Sequence, residues 1–129
     1  MASLFSKIIA GEIPCYKVAE NDSFLAFLDI MPIKEGHVLV IPKVETDYIF
    51  DIDDNQLGEM MVFAKSVAKK IEKVFPCNRI GVTVIGLEVP HAHIHLIPID
   101  KLDDMNFAKS KLNLSATQLS EIANKLSEA

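Results

Sequence analysis

The spacing of apolar residues changes along this chain, and each change marks an element. From about residue 54 to 75 they recur at steps of three and four: Leu57, Met60, Met61, Ala64, Val67, Ala68, Ile71 and Val74. That is the spacing of one buried face of a long helix, with Asp53 or Asp54 as cap and Pro76 as stop. The stretch "SLFSKIIAG" (3–11) predicts a short helix, with Ser3 as N-cap, Leu4, Phe5, Ile8 and Ile9 on one side and Gly11 as the stop. Ser115 and Gln118 have the spacing of a capping box ahead of Leu119, Ile122 and Leu126, which predicts a terminal helix over about 115–128. Elsewhere the pattern shortens to strand-like runs. These are "CYKVAEND" and "SFLAFLDI" around Asn21–Asp22, "GHVLVIPK" (36–43), "RIGVTVIG" (79–86) and "HAHIHLIPI" (91–99). The expected fold is an α+β domain: an antiparallel sheet of about five strands, one long helix and shorter helices at the two ends.

Size and composition narrow the picture. At 129 residues, half of them hydrophobic, the chain is expected to fold as one domain, 1–129, with a real core. Thirteen basic against 18 acidic residues give a net charge of −5, which speaks against a nucleic-acid-binding face but leaves room for a small phosphorylated ligand. No stretch approaches the ~18 apolar residues that cross a membrane. "MASLFSKIIAGEIP" does not read as a secretory signal, so the expected location is cytoplasmic. Cys15 and Cys77 have no metal-ligand spacing and are expected to be buried free thiols. There is no internal repeat or low-complexity tract.

Three of the four histidines stand at alternate positions of "PHAHIHLIPI" (90–99). In a strand His91, His93 and His95 share one face, while Ala92, Ile94 and Leu96 point into the core. Three uses of such a row are open. It can be a set of solvated imidazoles on an edge strand. It can bind a metal through two of the three; His91 and His95 would lie roughly 13 Å apart along a straight strand, too far to share one ion. Or it can hold a nucleophile: a neutral imidazole attacks phosphorus well near pH 7 if its second ring nitrogen is held by an acceptor. His37, opening "GHVLVIPK", can join the row if the two strands come together.

"PHAHIHLIP" resembles the signature of the histidine triad (HIT) family. "KIIAGEIP", "FLAFLDIMPIKEGHVLVIPK" and the helix that follows lie in that family's order, so the resemblance spans roughly residues 3–99. It implies the HIT fold, normally a homodimer whose sheets join, and binding of a purine mononucleotide or nucleotide conjugate. It also implies cleavage at the α-phosphate through a nucleotidyl-histidine intermediate, with no cofactor. On this resemblance His93 is the nucleophile, His91 and His95 flank it to orient it or contact phosphate, and His37 is the family's fourth histidine. Asp29 matches the residue that grips the ribose hydroxyls; its plainer role is a turn-side carboxylate. Phe5, Ile8, Phe27 and Ile30 match the walls around the base, or are simply core.

Three departures from the family pattern matter. Many relatives carry Cys-x-x-Cys and a further histidine for a structural zinc. Here Ser3 and Ser6 stand at the cysteine positions and "KVETDYIF" has no histidine, so the chain resembles Hint and prokaryotic HIT-like proteins without that site, and no metal is expected. The loop before the triad, "GVTVIGLEVP", has Leu87 and Glu88 where polar phosphate donors are expected, leaving Gly86 to offer a backbone N–H. A carboxylate there disfavours an anion. The expectation is a phosphoramidase or hydrolase, with a catalytically weak nucleotide-binding dimer and a metallohydrolase as alternatives. The third departure is the tail after Pro98, which leaves the Hint pattern.

Overall fold

A computed structural model describes residues 2–129. The elements run α1 (Leu4–Ile9), β1 (Lys17–Glu20), β2 (Phe24–Leu28), β3 (Val38–Pro42), α2 (Asp54–Val74), β4 (Arg79–Thr83), β5 (Ile94–Ile99) and α3 (Ala116–Glu128). Single 3-10 turns occupy Ile49–Asp51 and Leu102–Met105. The strands form one antiparallel sheet in the order β1-β2-β3-β5-β4. The fold is thus the expected α+β architecture with five strands. Among the described residues no helix is long and apolar enough to cross a membrane.

The central strands are buried on both faces, which explains their uninterrupted apolar runs. From β2, Phe24, Ala26 and Leu28 enter a large core beneath α2 and α3; Leu25 and Phe27 enter a smaller one with Phe5, Leu39 and Ile41. Ala92, Ile94 and Leu96 join the large core, as the alternation predicts. His95 pairs across the sheet with Leu39 on one side and Thr83 on the other.

The caps behave as their residue types require. Ser3, Asp53 and Ser115 each accept a first-turn backbone N–H, and Gln118 completes the box at α3. Asn21 Oδ1 accepts from Ser23 and Phe24 N–H to turn β1 into β2.

Some expectations need correction. Strand β5 begins at Ile94, so His91 and His93 precede it: their stretch is held instead by His91 N–H to Val89 O and Ala92 N–H to Thr46 O. Strand β4 ends at Thr83, short of Gly86. Met61 and Leu4 are about half exposed; Met61 sits one residue, some 100° of helical turn, from buried Met60. Phe63, outside the predicted stripe, packs on Phe24 with ring centroids 5.7 Å apart. Cys15 and Cys77 are free thiols, but only half-buried.

Candidate active site

The histidines assemble around the antiparallel β3–β5 pair: His37 just before β3, His91 and His93 just before β5, and His95 within β5 opposite Leu39. Gly36, at φ +90°, turns the chain into β3 and presents His37; a Cβ there would lie 2.8 Å from the Phe75 ring. Across the sheet, His95 enters on the same face. The rings form a connected row: His37–His95 centroids are 5.2 Å apart, His95–His93 4.9 Å, and Phe5 stands edge-on to both His93 (5.1 Å) and His91 (5.8 Å).

Fixed partners decide which nitrogen carries each proton. His93 Nδ1 lies 2.8 Å from the His91 carbonyl, which only accepts, so Nδ1 carries the hydrogen and Nε2 keeps its lone pair. His37 Nδ1 accepts the Ile33 N–H at 3.3 Å, which places the His37 proton on Nε2. That proton is donated to His95 Nδ1 at 2.9 Å, leaving His95 with Nε2–H. No buried side-chain nitrogen or oxygen among the described residues lacks a partner, so the unpaired Nε2 atoms of His93 and His95 open onto the adjoining cavity. One is a lone pair and the other a donor.

Burial disfavours the charged forms of His37, His95 and His91. It pushes His37 down to about 3, helped by the neighbouring His95 charge, and His95 down to about 4, helped by His93. His91 is lowered by burial as well, although its bond to the Pro42 carbonyl opposes the shift.

His91 is completely buried and lies behind the cavity rather than on it. Its Nε2–H is donated to the Pro42 carbonyl (2.8 Å), so Nδ1 accepts from the Ser3 hydroxyl, also at 2.8 Å. Glu45 closes this cluster: Oε1 accepts from Ser3 N–H at 2.6 Å and from the Ser6 hydroxyl at 2.7 Å. Those two serines hold the Glu45 carboxyl down at about 2, the Ser6 hydroxyl having the larger effect. The clip ties α1, and with it Phe5, to the backbone that orients His93.

A cavity of about 510 Å³ lies in front of the row, within the size range of small-molecule sites. His93, His95, His37, Asp29, Phe5, Phe27, Ile8, Ile30 and Gly86 all line it. Phe5 and Phe27 are buried and edge-on at 5.5 Å, so they are both wall and core; Ile30 is 60% exposed and purely wall. Asp29 serves a turn and the cavity at once. Its Oδ1 accepts Met31 N–H at 2.8 Å, and Oδ2 stands 3.6 Å from His37 Nε2. Burial raises its pKa, with the Met31 N–H opposing. Gly86 adopts φ +76°, Leu87 is 88% exposed, and Glu88 faces the cavity mouth.

Asp29, His37 and His95 each offer a ligand atom within 4.8 Å of the others. The set suits a hydrogen-bonded pair better than a cation. To ligate, His37 would have to move its proton from Nε2 to Nδ1, where two donors, Nδ1–H and Ile33 N–H, would face each other.

The HIT domain family model matches residues 10–102, well over half the chain. The chain belongs to the HIT family. A HIT-like protein of Borreliella burgdorferi is 35% identical over 132 residues, covering 96% of this chain and 95% of that protein. Adenosine 5'-monophosphoramidase HNT1 of Saccharomyces cerevisiae is 42% identical over 99 residues, 75% of this chain and 62% of the yeast protein. In three dimensions, a HIT-like protein of Bartonella henselae superposes with a TM-score of 0.85 at 31% identity, covering 98% of this chain and 94% of its own.

Two features of this HIT site escape the sequence pattern. Phe107 and Lys111, from the tail beyond the family match, line the cavity. Glu45 clips α1 to His91. A lone phenylalanine in the polar run "DDMNFAKSK" is the one signal that could have pointed to the first; nothing in "KVETDY" singles out Glu45.

Proposed function

We propose that this chain is a purine nucleotide phosphoramidase or hydrolase that acts at the α-phosphate through a nucleotidyl-histidine intermediate on His93. The observation that carries this reading is the His93 ring: Nδ1–H is anchored on a backbone carbonyl, and an unprotonated Nε2 faces the cavity. The yeast relative's name adds support, since that protein is an adenosine 5'-monophosphoramidase.

In this reading the base lies between Phe5, Ile8, Phe27 and Ile30, the ribose hydroxyls meet Asp29, and the phosphate sits before His93 and His95. His93 Nε2 attacks phosphorus and forms a P–N bond as the bond to the leaving group breaks. The imidazolium that results keeps its Nδ1–H on the His91 carbonyl. Water then cleaves the P–N bond: its hydroxyl ends on phosphorus, and its proton balances the one carried off by a departing amine. His95 Nε2–H serves as hydrogen-bond donor, His37 fixes its tautomer, and His91 acts through its carbonyl as a positioning residue. A homodimer fits the exposed edge strand β4, where Val82 and the following Val84 and Ile85 face solvent.

A second reading, a nucleotide-binding protein with weak chemistry, is favoured by the 86–88 loop, which sets a carboxylate at the mouth in place of a donor. Losing such donors commonly costs a factor of about 10²–10³. The deciding experiment is AMP release from adenosine 5′-phosphoramidate by wild type and His93→Ala, with EDTA present. Release by the wild type alone supports the enzyme. AMP binding without release by either supports the second reading.

A further inference from the structure

The two ends of the chain divide the histidine row between them. Phe5 stands edge-on to His93 and His91, and Phe107 stands edge-on to His95 at 4.9 Å and to His37 at 6.2 Å. Neither phenylalanine lies within residues 10–102, the span of the family match. Phe107 belongs to the stretch 106–114, which runs irregularly from the Leu102–Met105 turn to α3 and is pinned at both ends. At one end, buried Asp104 accepts the N–H groups of Asp100 (2.8 Å) and Lys101 (3.1 Å). At the other, Leu112 N–H is donated to Pro32 O at 2.7 Å. Lys111 folds back on the ring: its ammonium donates to the Phe107 carbonyl at 2.8 Å and lies 5.5 Å from the ring centroid. Irregular chain fastened in this way holds the phenyl ring against the two imidazoles.

His95 is the member of the row for which such a contact matters most. Its Nδ1 accepts the His37 Nε2–H at 2.9 Å, and its own Nε2–H opens onto the cavity. A proton added to His95 goes to Nδ1, where two N–H groups would then face each other. His37 could relieve this only by moving its own proton to Nδ1, at which the Ile33 N–H already points. Protonating one ring thus undoes the proton order of both. The pair borders an open cavity, yet His37 is only 1% exposed and His95 8%. Within the sheet His95 faces no charged side chain, since it pairs with Leu39 on β3 and Thr83 on β4. Asp29 brings Oδ2 to 3.6 Å from His37 Nε2, a nitrogen whose proton goes to His95. The His93 ring lies 4.9 Å from that of His95, and Glu88 acts on Asp29 from the loop before the triad. Lys111 comes from the tail and, like His93, disfavours a positive charge on the pair.

We propose that the tail is a cover that keeps protons off the His37–His95 pair. The Phe107 ring keeps water from the two imidazoles, and the Lys111 ammonium repels a further positive charge. Phe107 is thereby a positioning residue, which holds His95 as a neutral hydrogen-bond donor toward the cavity. The ring lies closer to His95 than to His37, so its loss exposes His95 first. The order of the pair stands on this geometry alone; its link to turnover rests on the α-phosphate reading above. In that reading the cover keeps the site working in mild acid, where an uncovered imidazole takes up a proton at about its ordinary 6.5.

The test follows the His95 and His37 ring nitrogens by NMR, between about pH 7.5 and about pH 5, a range that spans the ordinary imidazole value. It uses the ligand-free wild type, Phe107→Ala, Phe107→Leu and Lys111→Met. In wild type each ring should keep a single proton throughout. In Phe107→Ala the His95 midpoint should climb into this range, a rise of roughly one pH unit or more. Phe107→Leu fills part of the space and should shift it less. Lys111→Met keeps the stem on the ring but loses the charge, and should give a smaller rise in the same direction. On adenosine 5′-phosphoramidate, the acid limb of kcat/KM should move up with the His95 midpoint. A wild-type His95 that titrates near its ordinary value overturns the proposal. So does an unshifted His95 in a folded Phe107→Ala. If Phe107→Ala does not fold, unshifted midpoints in both Phe107→Leu and Lys111→Met overturn it equally. A shifted midpoint with no turnover by any of the four proteins supports the cover while refuting the enzyme reading.

Discussion

Acid should unfold this protein through its histidines before its carboxylates respond. His37 and His95 are held neutral by burial, at about 3 and about 4, against an ordinary value of about 6.5. Between those limits the unfolded chain binds protons that the folded chain refuses, so stability rises with pH there and is lost as pH falls below about 6.5. Each refused proton is worth about 1.36 kcal/mol per pH unit. From neutral pH down to about pH 5, each histidine therefore costs about 2 kcal/mol and the pair about 4 kcal/mol, a large part of a typical domain's 5–15 kcal/mol. Over this window both folded values stay well below ambient pH, so the result does not depend on their depth. Urea titrations at fixed protein concentration between about pH 7 and pH 5 should show the midpoint falling with an unchanged slope. His37→Gln should remove about half of the dependence. A wild-type change below about 1.5 kcal/mol would show that these rings are not held neutral, and the tautomer assignments would fall with it.

Two further predictions follow from other parts of the site. Glu45→Ala releases Ser3 and Ser6, so α1 should loosen, with KM raised several-fold and kcat reduced less, while Glu45→Gln, which still accepts both bonds, stays near wild type; steady-state kinetics of the three proteins checks this. Gly36→Ala combines a left-handed backbone with a Cβ 2.8 Å from Phe75 and should cost about 1–3 kcal/mol, read as a lower urea midpoint.

Local patterns made most of the fold legible. The caps Ser3, Asp53 and Ser115 lie where their hydroxyl or carboxylate oxygens can meet first-turn N–H groups, and the alternation at 91–96 sends Ala92, Ile94 and Leu96 inward. The start of β5 was not legible, because His91–His93 keep a strand-like spacing while their backbone bonds go to Val89 and Thr46, and the second of these partners is remote in sequence. The cavity walls could be read because the residues around the triad follow the HIT pattern. Glu45 and Lys111 could not: Glu45 acts through contacts with Ser3 and Ser6, remote in sequence, Lys111 touches its neighbour Phe107 and lines the cavity only because of the path the tail takes, and a charged residue in a polar run carries no periodic mark. Ser3 reads in the sequence as a helix cap and, with Ser6, as a missing zinc ligand, whereas the two serines are also the donors of a hydrogen-bonded clip.

The Ile33 N–H sets the whole proton order of the His37–His95 pair. This donor belongs to the main chain, so it survives every coded replacement at position 33 except proline. Mutation can change the size or polarity of the residue there without touching the peptide hydrogen that decides which way the imidazoles face. The tautomers are thus inherited from the backbone, and this part of the site is shielded from drift in its own neighbourhood: a lineage could replace Ile33 freely, within what packing allows, and still pass on the same arrangement of protons.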